Sequence, residues 1–105
     1  MSRPLIYLES PYAGDLVTNR TYLKECILDS IDRGENPYAS HGFFTQYLDD
    51  TIHSQRMLGM SLGDQWRLLC EKTIFYEDLG WSRGMQSGRD FCIKLGLHYD
   101  YRRIR

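Results

Sequence analysis

Four short runs of strand-forming residues alternate with stretches of helical period, and this alternation restricts the chain more than any other feature. The runs are "PLIYLES" (4–10), "NPYAS" (36–40), "TIFYE" (73–77) and "LHYDY" (97–101). Between the first two, Leu23, Cys26, Ile27 and Ile31 recur at helical spacing from Leu16 to Arg33, with Asp15 as N-cap and Gly34 closing the helix. A second helix is predicted over 53–71, where Leu58, Leu62, Trp66, Leu69 and Cys70 share a face. A third runs from its cap, Ser82, to about Leu95 and stops at Gly96. Strands alternating with helices mean βαβ units, a parallel sheet and right-handed crossovers. The expectation is one α/β domain over 1–105: a small flavodoxin-like, three-layer fold with about four parallel strands and helices on both faces.

Ligand sites in such sheets gather beyond the carboxyl ends of the strands. The segments to read for function are therefore Glu9 to Gly14, Ser40 to Asp50 and Glu77 to Gln86. In "GWSRGMQSGR" (80–89), Ser82, Gly84 and Gly88 stand at a helix start beside Arg83 and Arg89. Unpaired N–H groups, the positive end of the helix dipole and nearby guanidinium groups suit a phosphate. A capped helix whose glycines pack on a strand is the plainer account. "SPYAG" supplies Ser10, Tyr12 and Gly14 in a loop entering a helix, without a dinucleotide or Walker pattern. In "HGFFTQYLDD" (41–50), Phe44 and Gln46 offer a stacking face and an amide to a planar base, and Phe43 and Phe44 also suit a core.

Carboxylates near the strand ends are Glu9, Asp64, Glu77 and Asp78. A pair of them would serve acid–base chemistry, although charged strand ends are usually solvated. His41, His53 and His98 lack ligand-like spacing, so no metal and no cofactor is expected. A net charge of −1 gives no electrostatic case for nucleic acid or membrane binding. No stretch reaches the ~20 apolar residues of a membrane span. Cys26, Cys70 and Cys92 are three and scattered, which argues for free buried thiols and a reducing, cytoplasmic setting.

"IYLESPYAG", "FFTQYLDD" and "CEKTIFYEDLGWSRGMQSGR", in this order, resemble the nucleoside 2-deoxyribosyltransferase-like family, especially its short phage and bacterial members. The likeness covers nearly the whole chain, and "S-x-G-M-x-x-G" is its most specific part. It implies a flavodoxin-like sheet, a nucleoside or nucleotide ligand, a glutamate nucleophile and a homo-oligomer whose subunits complete each other's sites. By position it implies ligand contacts from Tyr7, Gln46, Ser82, Gly84, Met85, Gly88 and Arg89, with Asp78 handling the base's proton and Asp64 near a further aspartate. The family's nucleophile follows the "GM" directly, and here that position is Gln86. An amide cannot form the glycosyl ester. Two expectations follow. One is a non-catalytic nucleotide-binding protein, in a phage setting one that sequesters a nucleotide-derived defence signal. The other is an N-glycosidic bond hydrolase or deoxyribosyltransferase that uses Asp78, Glu77 or Asp64.

Overall fold

The computed structural model describes residues 2–105. The strands are β1 (Leu5–Glu9), β2 (Asn36–Tyr38), β3 (Lys72–Tyr76) and β4 (Tyr99–Arg102). The helices are α1 (Leu16–Asp32), α2 (Ser40–Phe43), α3 (His53–Arg67) and α4 (Arg83–Leu95), with a 3-10 turn at Phe44–Gln46. All strand pairs are parallel, in the order β2-β1-β3-β4. The fold is α/β, as expected, with three layers.

Alternation along the two central strands creates two unlike faces. Ile6, Leu8, Ile74 and Tyr76 point one way and pack with Tyr22, Leu23 and Cys26 of α1 into an apolar core. Tyr7, Glu9, Thr73 and Phe75 point the other way and lie under α3 and α4, where Arg67 reaches Glu9 and Thr73, and Cys92 lies against Thr73. The second face is polar at its centre. That explains why α3 turns much of its apolar stripe outward: Leu58 and Trp66 are exposed, while Gly63 and Arg67 are buried. A polar sheet face is matched by a small residue and a paired charge rather than by leucines.

The segment 41–50, which has no clean period, divides into α2, the 3-10 turn and a loop. Strand β2 is two residues shorter than the run that predicted it, because Ser40 already starts α2. Asp15 caps α1 by accepting from the Thr18 amide, and Ser82 caps α4 by accepting from the Met85 amide. Gly96, at φ 66°, ends α4 in the left-handed conformation that glycine tolerates best. Among the described residues, no helix is long and apolar enough to cross a membrane.

Strand order places the crossover point between β1 and β3. From β1 the chain leaves toward α1 on one face; from β3 it leaves toward α4 on the other. The loops after these strands diverge, and a crevice opens between them.

Candidate functional site

A cavity of about 600 Å³ occupies this crevice. That volume is of the size that takes a small molecule such as a nucleotide.

Its floor is built from the polar face of the sheet. Tyr7 and Glu9 rise from β1, and Asp64 and Arg67 come down from α3. Arg67 Nη2 donates to Glu9 Oε2 at 2.6 Å, its Nε to Asp64 Oδ1 at 3.1 Å, and its Nη1 to Thr73 Oγ1 at 3.2 Å. The guanidinium carbon also lies 4.2 Å from the centre of the Tyr7 ring. Burial raises the Glu9 carboxyl above its ordinary range, against the opposing pull of Arg67. Burial likewise raises the Tyr7 hydroxyl. The helices reach the floor only because they carry glycines there: a Cβ on Gly63 would collide with the Tyr7 and Ser40 hydroxyls, and one on Gly88 with Glu9 and Arg67.

One wall comes from the β1 loop and α2. Asn19 of α1 donates to the Tyr12 and Ala13 carbonyls at 2.9 and 2.8 Å, fixing the loop that carries Tyr12 and Gly14. Ser40 bonds Tyr7, and the His41 ring pairs with Ser10 at 2.9 Å. These contacts hold Tyr12 and Phe44 on the same side of the cavity. Burial, and then the charge of Arg67, lowers the His41 imidazole to about 4, so it is neutral at pH 7.

The opposite wall is the first two turns of α4, with Ser82, Arg83, Gly84, Ser87 and Gly88. Ser82 takes up the Met85 amide. The Arg83 and Gly84 amides, as first residues of the helix, have no intrahelical acceptor and carry the positive end of its dipole. Arg56 and Arg83 add cationic side chains to the lining.

Tyr7, Ser10, Tyr12, Gly14 and Phe44 line the cavity from the first side. Asp64, Ser82, Gly84, Met85 and Gly88 line it from the second. Five other expected residues lie elsewhere. Gln46 is exposed and donates back to the Gly42 carbonyl at 2.8 Å. Glu77 accepts from Trp81 Nε1 at 3.0 Å. Asp78 accepts from the Tyr22 hydroxyl at 2.5 Å and from the Ile104 and Arg105 amides, and so ties down the end of the chain. Burial alone would raise this carboxyl; those donors outweigh it and hold it below its ordinary value. Arg89 lies over the Trp81 ring at 4.6 Å and donates to Tyr101.

Gln86 is exposed and outside the cavity. Each helical residue turns about 100°. Gly84 and Gly88 share the inward side, so Gln86, two positions on from Gly84, points nearly the opposite way. The residue of α4 above the floor is Gly88, and the carboxylate beneath it is Glu9, supplied by β1.

The sequence reading passed over Arg67, Arg56, Ser40 and the role of His41. Strand ends are usually solvated, so nothing in the sequence marked Glu9 as buried or called for Arg67 as its partner.

The model of a domain of unknown function, DUF7768, matches residues 4–102. The chain belongs to the DUF7768 family. The match runs from the residue before β1 to the end of β4, so it takes in every wall of the cavity. No curated protein matches this DUF7768 chain.

Proposed function

We propose that this DUF7768 chain binds a nucleotide or nucleotide-derived molecule and holds it without breaking its glycosidic bond. The observation that carries the reading is the division of the crevice into two complementary walls. Tyr12 and Phe44 offer aromatic faces to a base, while Ser82, Arg83 and the free amides at the α4 start offer a phosphate its donors. The resemblance to nucleoside 2-deoxyribosyltransferase-like proteins points to the same ligand class.

Holding rather than cleaving is supported at the floor, not at Gln86. Arg67 engages one oxygen of Glu9 and one of Asp64. An oxygen held by the guanidinium is not free to attack a sugar carbon, and the Arg67 contacts fix both side chains in place. In a phage setting, the useful act of such a protein is to sequester a nucleotide-derived defence signal in the host cytoplasm. A homo-oligomer belongs to the same proposal, through the resemblance alone.

One observation favours a second reading, N-glycosidic hydrolysis or transfer: the floor does contain two carboxylates, Glu9 and Asp64. Calorimetry against nucleosides, nucleotides, cyclic dinucleotides and ADP-ribose derivatives, with chromatography for free base after incubation, separates the two. Saturable binding with the ligand recovered intact supports holding. Release of base supports the second reading. No binding tighter than millimolar across the panel would sink both.

A further inference from the structure

The floor has unused hydrogen-bonding capacity, and its chemistry narrows what can sit on it. Glu9 is bonded through Oε2 alone and Asp64 through Oδ1 alone. Among the described residues, neither Glu9 Oε1 nor Asp64 Oδ2 receives a hydrogen bond. Yet the Glu9 side chain is only 10 % exposed, and it lines the cavity. The carboxylate is held by Arg67 on one side and opens to the cavity on the other, where its second oxygen can accept a donor from outside the chain.

Charge excludes a phosphate from this place. Two carboxyl groups already share the one guanidinium of the floor, and His41 beside them is neutral at pH 7, so no cationic group is left there for a phosphate. The cationic groups outside the floor, Arg56 and Arg83, belong with the phosphate. The base takes the Tyr12 and Phe44 wall, because stacking needs a flat apolar face. In a nucleotide the sugar lies between base and phosphate, so it falls on the floor. The group it would bring to two acceptors bridged by one arginine is a pair of neighbouring hydroxyls.

We propose that the floor recognises the 2′,3′-diol of a ribose through the second carboxylate oxygens of Glu9 and Asp64, and so selects ribonucleotides over 2′-deoxyribonucleotides. The proposal rests on the nucleotide reading above. It runs against the preference that a deoxyribosyltransferase resemblance would suggest.

The test is calorimetry on the full chain with the ribonucleoside 5′-monophosphates and their 2′-deoxy counterparts. For the base that binds, the ribo form should bind about tenfold tighter or better, the scale of one hydrogen bond to a charged group. In Asp64→Ala, which removes the more exposed of the two acceptors, the ribo form should lose more affinity than the 2′-deoxy form, so the gap should shrink. Circular dichroism checks that the variant is folded, and Asp64→Asn replaces it if it is not. Equal affinities for ribo and 2′-deoxy forms of a base that binds would overturn the diol assignment and leave the nucleotide reading standing. Absence of binding by every nucleotide would remove both.

Discussion

Arg67 and Glu9, 58 residues apart in sequence, meet at 2.6 Å with side chains only 4 % and 10 % exposed. Such a pair gains little net stability over apolar residues of the same volume, because two ions have been taken out of water. Breaking it is another matter: without Arg67 the buried Glu9 has no cationic partner, and without Glu9 the buried Arg67 keeps only Asp64 as a counter-charge. Arg67→Ala should destabilise the fold by roughly 3–5 kcal/mol, and Glu9→Ala by less, because Asp64 still pairs with Arg67. The double variant Glu9→Leu/Arg67→Met leaves no orphan and should lose less than either single. Urea unfolding of the three measures this. A double variant less stable than Arg67→Ala would mean that an unpaired buried charge is not what that substitution costs.

Two glycines of α4, four residues apart, should respond oppositely to the same change. A methyl on Gly88 would fall on Glu9 Oε2 and the Arg67 guanidinium, so Gly88→Ala must displace the floor. At Gly84 the nearest atom is Ser82 Oγ at 3.8 Å, which is ordinary contact. There the added methyl brings only better helix propensity, about 0.5–1 kcal/mol. Thermal unfolding should show Gly88→Ala well below and Gly84→Ala slightly above the unsubstituted chain. Equal shifts would contradict the close packing described at the floor.

The alternation of strand runs and helical periods carried the architecture, because each element's pattern comes from its own residues. Sheet order was not local in that sense, but parallel pairing and the position of the crevice followed from topology rules. The site was legible where a loop's own composition makes it, as at Ser10, Tyr12, Ser82 and Gly84. It was not legible where it depends on distant residues meeting. Arg67 sits in a helix whose leucines suggested a different inward face, and only the polar side of the sheet, set by Tyr7, Glu9 and Thr73, turns that helix around. Asp78 and Gln86 lie away from the cavity for a related reason. Position in a motif does not fix the direction of a side chain, and here Asp78 serves Tyr22 and the chain end while Gln86 faces outward.

His41 gives the fold an acid limb. Its imidazole is lowered from 6.5 to about 4, first by burial and then by Arg67. The unfolded chain therefore binds a proton near pH 6.5 that the folded chain refuses until about pH 4. Between those values the unfolded state holds more protons, so this contribution to stability is intact above the window and falls as pH drops through it. At ~1.36 kcal/mol per pH unit the loss is on the order of 3 kcal/mol. Urea midpoints from pH 7 to pH 4 should decline, and the decline should flatten in His41→Gln, which keeps a polar end for Ser10. An unchanged slope in that variant would assign the acid sensitivity to other groups.

Arg83 and Gln86 stand three residues apart on α4, yet only Arg83 lines the cavity. If the phosphate sits at the start of α4, Arg83→Ala should weaken nucleotide binding about tenfold at low ionic strength, and by less as salt screens the exposed guanidinium. Arg89→Ala should leave affinity nearly unchanged, since that guanidinium is occupied with Trp81 and Tyr101. Gln86→Glu is the sharper comparison. A nucleophile's place in the motif would make this substitution create glycosidic turnover. A side chain on the outer surface of α4 cannot reach a sugar on the floor, so the substitution should leave both affinity and the absence of base release as they were. Calorimetry and chromatography on the three variants decide between these outcomes. Base released by Gln86→Glu alone would show that α4 turns in the bound state, or that its register against the sheet differs from the one described.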